Sequence, residues 1–189
     1  MDNHYLKSKF ETGLDYADYL AQGTDAQRSS WRDVYDRVTL TETQQSLLGG
    51  FVREVKALVV SGIWCGDCVQ QMPIVQRIAE ASGGKIELRW FDRDEHADLQ
   101  ERVRINAGNR VPVVIFAAED YEPVGWFGDK TLARYRALAA AQLGAGCPLP
   151  GAAVPESELA AVTSEWVDQF ERVHLILRLS GRLRQRHGD

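Results

Sequence analysis

The sequence predicts an α/β fold, and three observations support this. Residues 57–60, Ala-Leu-Val-Val, form a continuous apolar run that is typical of a strand buried on both faces. A helical segment to about residue 82 and an alternating strand over 85–91 follow it, which together make a βαβ unit. A short helix, two strands close enough for a hairpin and another helix complete the order β-α-β-α-β-β-α. We therefore expect a four-stranded mixed sheet with helices on both faces.

Size and composition limit the classes of function. The 189 residues lie within the roughly 100–200 expected of one domain, and 44% apolar with 26% charged residues excludes a collagenous or wholly disordered chain. The net charge of −5 argues against a broad surface for nucleic acid or anionic lipid. No apolar run approaches the roughly 20 residues of a membrane span, and the N-terminus lacks the pattern of a secretory signal. We expect a cytoplasmic protein with neither nucleic acid nor membrane as partner.

Residues 1–54 are predicted to be a helical extension. One amphipathic helix is expected over residues 5–22 and a second over 29–38. Thr41 and Gln44 have the spacing of a capping box, so a third helix should begin there. The inward positions of the first helix are predicted to be Tyr5, Phe10, Leu14, Tyr16 and Leu20.

The core is predicted over residues 55–143. After the strand and the turn at Gly62, a helix should end at Gly83-Gly84, because glycine is favoured just past a helix C-terminus. The remaining predicted elements are a strand at 85–91, a helix at 96–104, strands at 111–117 and near 122–127, and a helix at 130–143.

The C-terminal part is predicted to be a loop and one long helix. Residues 144–155 contain three Pro and three Gly, a composition typical of a loop. Cys147 lies there, and a lone loop thiol is more often incidental than a redox partner. Over 156–189 the apolar positions step by three or four along one stripe of a helix. We expect it to pack on the core of a monomer, with a dimer seam as the alternative.

The segment Trp64-Cys65-Gly66-Asp67-Cys68 directly follows the first strand and opens the first core helix. Unpaired N–H groups and the helix dipole at that position stabilise an anion, so Cys65 should form a reactive thiolate. Cys68 lies one helical turn further on, within reach of Cys65, where it can resolve a mixed disulfide. The pair is therefore predicted to be catalytic in two-electron thiol chemistry, with Cys65 as nucleophile.

The rival interpretation makes Cys65 and Cys68 half of a zinc site. Such a site needs two more ligands, from Cys147, His96 or another histidine. The sequence has neither a second CxxC nor a closely spaced pair of histidines. We therefore expect no metal at these cysteines.

At this point the sequence resembles the thioredoxin superfamily, over roughly residues 55–143. The resemblance rests on the WCGDC segment, on Pro73 within the following helix, and on Arg110-Val111-Pro112 ahead of a strand. It implies a three-layer α/β/α core and a cis Val111–Pro112 bond whose backbone lies beside Cys65. It also implies thiol–disulfide exchange with a protein or small-molecule disulfide, without a bound cofactor. An electron donor that the sequence does not identify would support this exchange.

Two departures from the commonest family pattern affect the expected mechanism. Val59 stands where many members carry a buried Asp that helps to deprotonate the resolving thiol. Asp67 stands where the usual member has Pro, and it is either a substitute proton acceptor or simply a good first-turn residue. The resemblance further implies that Trp64, Val111 and Pro112 bind substrate, although Trp64 could instead cover the core.

A second class of function fits the same residues. A thioredoxin-like fold with long helical additions could be a protein-binding module whose cysteines are vestigial or regulatory. The presence of both cysteines favours the oxidoreductase.

Overall fold

A four-stranded mixed sheet lies at the centre of the computed structural model, which describes residues 1–143 and 158–189. Its strands are β1 (Val55–Ser61), β2 (Ile86–Asp92), β3 (Val113–Ala118) and β4 (Pro123–Gly128). They lie in the order β2-β1-β3-β4, with β1 parallel to β2 and the other pairs antiparallel. All seven residues of β1 are buried, so both faces of the sheet are covered, because alternate side chains point to opposite faces. The predicted mixed α/β fold is confirmed.

The helices follow the predicted order, with additional breaks. None of the helices in the described part of the chain combines the length and apolar character needed to cross a membrane. The α-helices of the described residues are α1 (Asn3–Thr12), α2 (Tyr16–Ala21), α3 (Asp25–Arg37), α4 (Glu42–Gly49), α5 (Gly66–Ala81), α6 (Ala97–Gln100), α7 (Leu132–Leu143), α8 (Glu158–Leu179) and α9 (Gly181–His187).

The prediction of one helix over residues 5–22 is wrong, because the chain breaks between α1 and α2. At the break, the backbone N–H of Leu14 donates to the Trp90 carbonyl at 3.1 Å, and the N–H of Trp90 donates back at 2.9 Å. A bridge to β2 thus replaces the helical hydrogen bonds. The buried side chains on this segment are Leu6, Phe10 and Tyr19.

Capping boxes determine where α3 and α4 begin. The helix predicted over residues 29–38 is α3, which begins at Asp25 because Thr24 and Gln27 form a capping box that the prediction missed. The predicted capping box of Thr41 and Gln44 is confirmed. The Gln44 N–H donates to Thr41 Oγ1 at 3.2 Å, and α4 begins at Glu42, the residue after Thr41.

The predicted C-terminal helix is two helices, since Ser180 leaves the helical conformation and caps α9. The apolar stripe of α8 is buried on the core. Trp166 meets Phe127 edge-on, with ring centroids 5.0 Å apart, and Phe170 meets Phe116 at 5.3 Å. The loop predicted over 144–155, including Cys147, lies outside the described residues.

Candidate active site

Cys65 and Cys68 lie where β1 runs into α5. Cys65 is the N-cap of α5, with an extended backbone, and Cys68 lies in its first turn. Both thiols are free, Cys65 being half-buried and Cys68 fully buried. A substrate can therefore reach the first sulfur, whereas the second sulfur faces the interior.

The environment of Cys65 favours its thiolate. Its pKa is lowered to about 6, chiefly by the hydrogen bond that the Cys68 thiol donates to it. Burial opposes this effect, while the backbone N–H groups of Cys68 and Asp67 add to it. These N–H groups are the unpaired donors of the helix start, so the predicted anion-stabilising position is present.

The environment of Cys68 favours its protonated form. Burial is the largest effect and raises the pKa of Cys68 well above its ordinary value, and the adjacent Cys65 raises it further. The Ser61 hydroxyl and the Gly62 N–H lower it, the latter donating to Cys68 Sγ at 3.4 Å. One thiol of the pair is thus ionised near neutral pH and the other holds its proton.

The Val111–Pro112 segment lies beside the exposed sulfur. The bond between these residues is cis, as expected, and Cys65 Sγ lies 3.9 Å from the Val111 carbonyl oxygen. Gly128, which pairs with Val113, passes so close that a Cβ there would collide with the Pro112 carbonyl. The absence of a side chain at Gly128 therefore lets β4 pack against this segment.

Two cations hold the Asp67 carboxylate. Lys130 Nζ lies 2.9 Å from Asp67 Oδ2, and Arg134 Nε lies 3.2 Å from Oδ1. Because these ion pairs offset its negative charge, Asp67 repels the Cys65 thiolate less than an isolated carboxylate would. Sequence reasoning missed both partners, although a pair of cations four residues apart at the start of a predicted helix was a usable signal.

Trp64 is exposed beside the cysteines rather than covering the core. Its side chain is 48% exposed, and the Arg93 guanidinium lies 4.6 Å from the centre of its ring. A cation over an aromatic face is attractive, so Arg93 restrains the ring at the surface. Whether Trp64, Val111 and Pro112 contact a substrate stays a prediction.

The N-terminal helices support the turn that leads from β1 to Cys65. The sequence did not indicate this support. The Trp31 indole N–H donates to the Ile63 carbonyl at 3.0 Å in a fully buried hydrogen bond. Tyr19 stacks on Trp90 with ring centroids 5.4 Å apart, and Trp31 meets both rings edge-on. A buried aromatic cluster therefore backs the turn between β1 and α5.

Over residues 1–143 and 158–189, the side chains of His, Cys, Asp and Glu form no group of three or more that could hold a metal ion. Cys147, the third cysteine of the rival zinc interpretation, lies outside these ranges.

Comparison with known proteins places the chain among thioredoxin-like folds. A family model described as thioredoxin matches residues 13–136, whereas no curated protein matches. A Pseudomonas aeruginosa protein of unknown function has a similar structure, with a TM-score of 0.68 and 16% identity, covering 87% of this chain and 93% of that one. An HIV epitope-scaffold gives a TM-score of 0.62 at 17% identity, covering 85% and 95%.

Proposed function

The chain belongs to the thioredoxin superfamily, and from that premise we propose that it is a thiol–disulfide oxidoreductase. The observation that carries the proposal is the contrast between the two thiols: the Cys65 pKa is lowered to about 6, while the adjacent buried Cys68 stays protonated. At neutral pH roughly nine tenths of Cys65 is then thiolate, the form that attacks disulfides.

Two exchange steps follow from this arrangement. The Cys65 thiolate attacks one sulfur of a substrate disulfide, forming a mixed disulfide and releasing the other substrate sulfur as a thiolate. Cys68 then loses its proton and attacks Cys65 Sγ. The Cys65–Cys68 bond forms, the bond from Cys65 to the substrate breaks, and the leaving thiolate takes up the proton. The substrate gains two electrons and the cysteine pair loses them.

Recognition is proposed to use the surface around Cys65. The Val111 carbonyl lies beside the attacking sulfur, so an extended substrate backbone could pair with the Val111–Pro112 segment. The exposed ring of Trp64 would pack against substrate side chains. The proposed substrates are disulfides of proteins or small thiols, with an external thiol reductant returning the pair to its reduced form, as a reducing cytoplasm would require.

Substitution of each cysteine tests the proposal. The reduced protein should reduce insulin disulfides, and Cys65→Ser should abolish this activity, because Cys65 is the half-exposed thiol of the pair whose pKa is lowered, while Cys68 is buried and protonated. Cys68→Ser should instead accumulate a mixed disulfide at Cys65, seen by mass spectrometry, because attack survives and resolution does not. The matched control is Cys147→Ser, which should keep full activity.

Full activity of Cys65→Ser would contradict the mechanism. Failure of the wild-type protein to reduce any disulfide, together with no trapped adduct in Cys68→Ser, would favour the alternative of a protein-binding module with vestigial or regulatory cysteines.

A further inference from the structure

Two fully buried hydroxyl groups behind Cys68 have no hydrogen-bond partner of ordinary geometry. They are Ser61 Oγ and Tyr19 Oη, and both residues are 0% exposed. Buried polar groups are almost always hydrogen-bonded, because an unpaired group loses its hydrogen bonds to water and gains none in the protein. Two such groups on one side of a reactive thiol therefore call for a functional explanation.

The sheet places both hydroxyls on one face. Val59 and Ser61 are alternate residues of β1 and point the same way. Trp90 is the register partner of Val59, and the Tyr19 ring stacks on Trp90. Tyr19 therefore lies over the same face as Ser61.

Cys68 shares this environment. The N–H of Gly62, the residue after Ser61, donates to Cys68 Sγ. The Ser61 hydroxyl lowers the pKa of Cys68, against the larger effect of burial. It also lowers the pKa of Tyr19, which burial raises most and the Cys68 charge raises further. Ser61 thus interacts with both neighbours, and the phenol of Tyr19 keeps its proton and can act only as a donor or an acceptor in its neutral form.

The resolving step requires a hydrogen-bond donor close to Cys68. Cys68 must become a thiolate inside the protein before it can attack Cys65 Sγ, and a buried anion is unfavourable unless it accepts hydrogen bonds. Val59 offers no polar group, and the Asp67 carboxylate is held by Lys130 and Arg134.

We propose that the Ser61 hydroxyl donates a hydrogen bond to the Cys68 thiolate during resolution, and that the Tyr19 hydroxyl orients Ser61 for this role. The inference rests on the proposed oxidoreductase function and adds a step to it. Neither hydroxyl gains or loses a proton overall: the proton of Cys68 passes to the leaving thiolate, while the Cys65–Cys68 bond forms and the mixed disulfide breaks. In this step Ser61 would contact the reacting sulfur of Cys68, whereas Tyr19 would be a positioning residue.

The two exchange steps can be timed separately with dithionitrobenzoate, a chromogenic aromatic disulfide. In a Cys147→Ser background, the reduced protein should release one coloured thiolate when Cys65 attacks and a second when Cys68 resolves the adduct. The first phase depends on reagent concentration and the second does not. Stopped-flow absorbance across a range of pH gives the rate and the pH dependence of each phase.

The variants are Ser61→Ala and Tyr19→Phe, each with a matched control. Ser82→Ala removes a buried hydroxyl at the far end of α5, where it bonds to the Ala79 carbonyl and the Ile86 N–H. Tyr16→Phe removes a second buried hydroxyl group that also lacks a partner, on a partly buried ring that also packs on Trp90.

Ser61→Ala should slow the second phase by roughly 10- to 100-fold, since a hydrogen bond to a charged group is lost. It should also move the pH dependence of that phase to higher pH and leave the first phase unchanged. Tyr19→Phe should act in the same direction by less, and the double variant should be no slower than Ser61→Ala, because Tyr19 acts through Ser61. Both control variants should keep the wild-type second phase.

An unchanged second phase in Ser61→Ala, or equal slowing in Tyr16→Phe, would overturn this inference while leaving the oxidoreductase intact. Failure of the proposed function has a different signature: the wild-type protein would then show no fast release that Cys65→Ser abolishes.

Discussion

Removing the Cys68 thiol should raise the pKa of Cys65, because the hydrogen bond from Cys68 is the largest of the effects that hold that pKa near 6. A hydrogen bond to a charged group contributes about 1.5–3 kcal/mol, and one pKa unit corresponds to about 1.4 kcal/mol. Cys68→Ala should therefore raise the pKa of Cys65 by about one to two units. Cys68→Ser keeps a hydroxyl donor at the same place and should raise it by less.

The assay must cover a range of pH, because a rate at one pH hides the effect. With a pKa near 6, roughly nine tenths of Cys65 is thiolate at pH 7, and with a pKa near 8 roughly one tenth is. However, a thiolate of higher pKa is more nucleophilic, with a Brønsted coefficient of about 0.4–0.5, so a rise of two units makes it roughly six- to tenfold more reactive. The two effects nearly cancel at neutral pH. The midpoint of the pH profile for alkylation of Cys65 by iodoacetamide does not suffer this cancellation.

A Cys68→Ala profile with the wild-type midpoint would refute the reasoning. The thiolate would then be held by the backbone N–H groups at the start of α5 rather than by the neighbouring thiol. The Cys68→Ser profile serves as the matched control, since it removes the sulfur and retains a donor. All chains should carry Cys147→Ser, so that Cys65 is the one cysteine left in the two variants.

Two further predictions concern charge. Asp67→Asn removes a charge that raises the Cys65 pKa, so that pKa should fall and the reduction potential of the Cys65–Cys68 pair should rise. Thiolate absorbance measures the pKa and glutathione titration measures the potential. If neither value changes, Asp67 is a helix-start residue only. His174 Nε2 accepts the Val52 N–H at 3.0 Å, and burial, followed by the charges of Arg178 and Arg53, lowers the pKa of His174. The unfolded state therefore binds the proton of His174 more tightly than the folded state does. The stability that neutral His174 contributes is complete above about pH 6.5 and is lost as the pH falls through the lowered pKa. The free energy of unfolding of His174→Gln, measured in urea, should depend less on pH over that range than that of the wild type, and an identical dependence would contradict this role of His174.

The parts of the fold that the sequence predicted correctly depend on local patterns. The buried strand β1 is a continuous apolar run, and the start of α4 depends on Thr41 and Gln44, three residues apart. The position of Cys65 at the start of α5 follows from the order of strand, turn and helix within a few residues. Each of these features is determined by neighbours in the chain, so the sequence alone identifies them.

The parts that the prediction missed depend on contacts between distant segments. The break after α1 comes from hydrogen bonds between Leu14 and Trp90, and the charge balance of Asp67 comes from Lys130 and Arg134. Nothing in the pattern of residues 5–22 or 64–68 specifies these partners. The periodicity of the first segment favoured a longer helix, and tertiary pairing with β2 overrode that preference.

The same distant contacts make the N-terminal helices part of the candidate site. Trp31 binds the Ile63 carbonyl within the turn that leads to Cys65, and Tyr19 lies over the face of the sheet that carries Ser61. The turn therefore takes its support from residues that precede β1 by more than twenty positions. Because the hydroxyl proposed to orient Ser61 also comes from this segment, we expect the reactivity of Cys68 to depend on helices outside the region that carries the two cysteines.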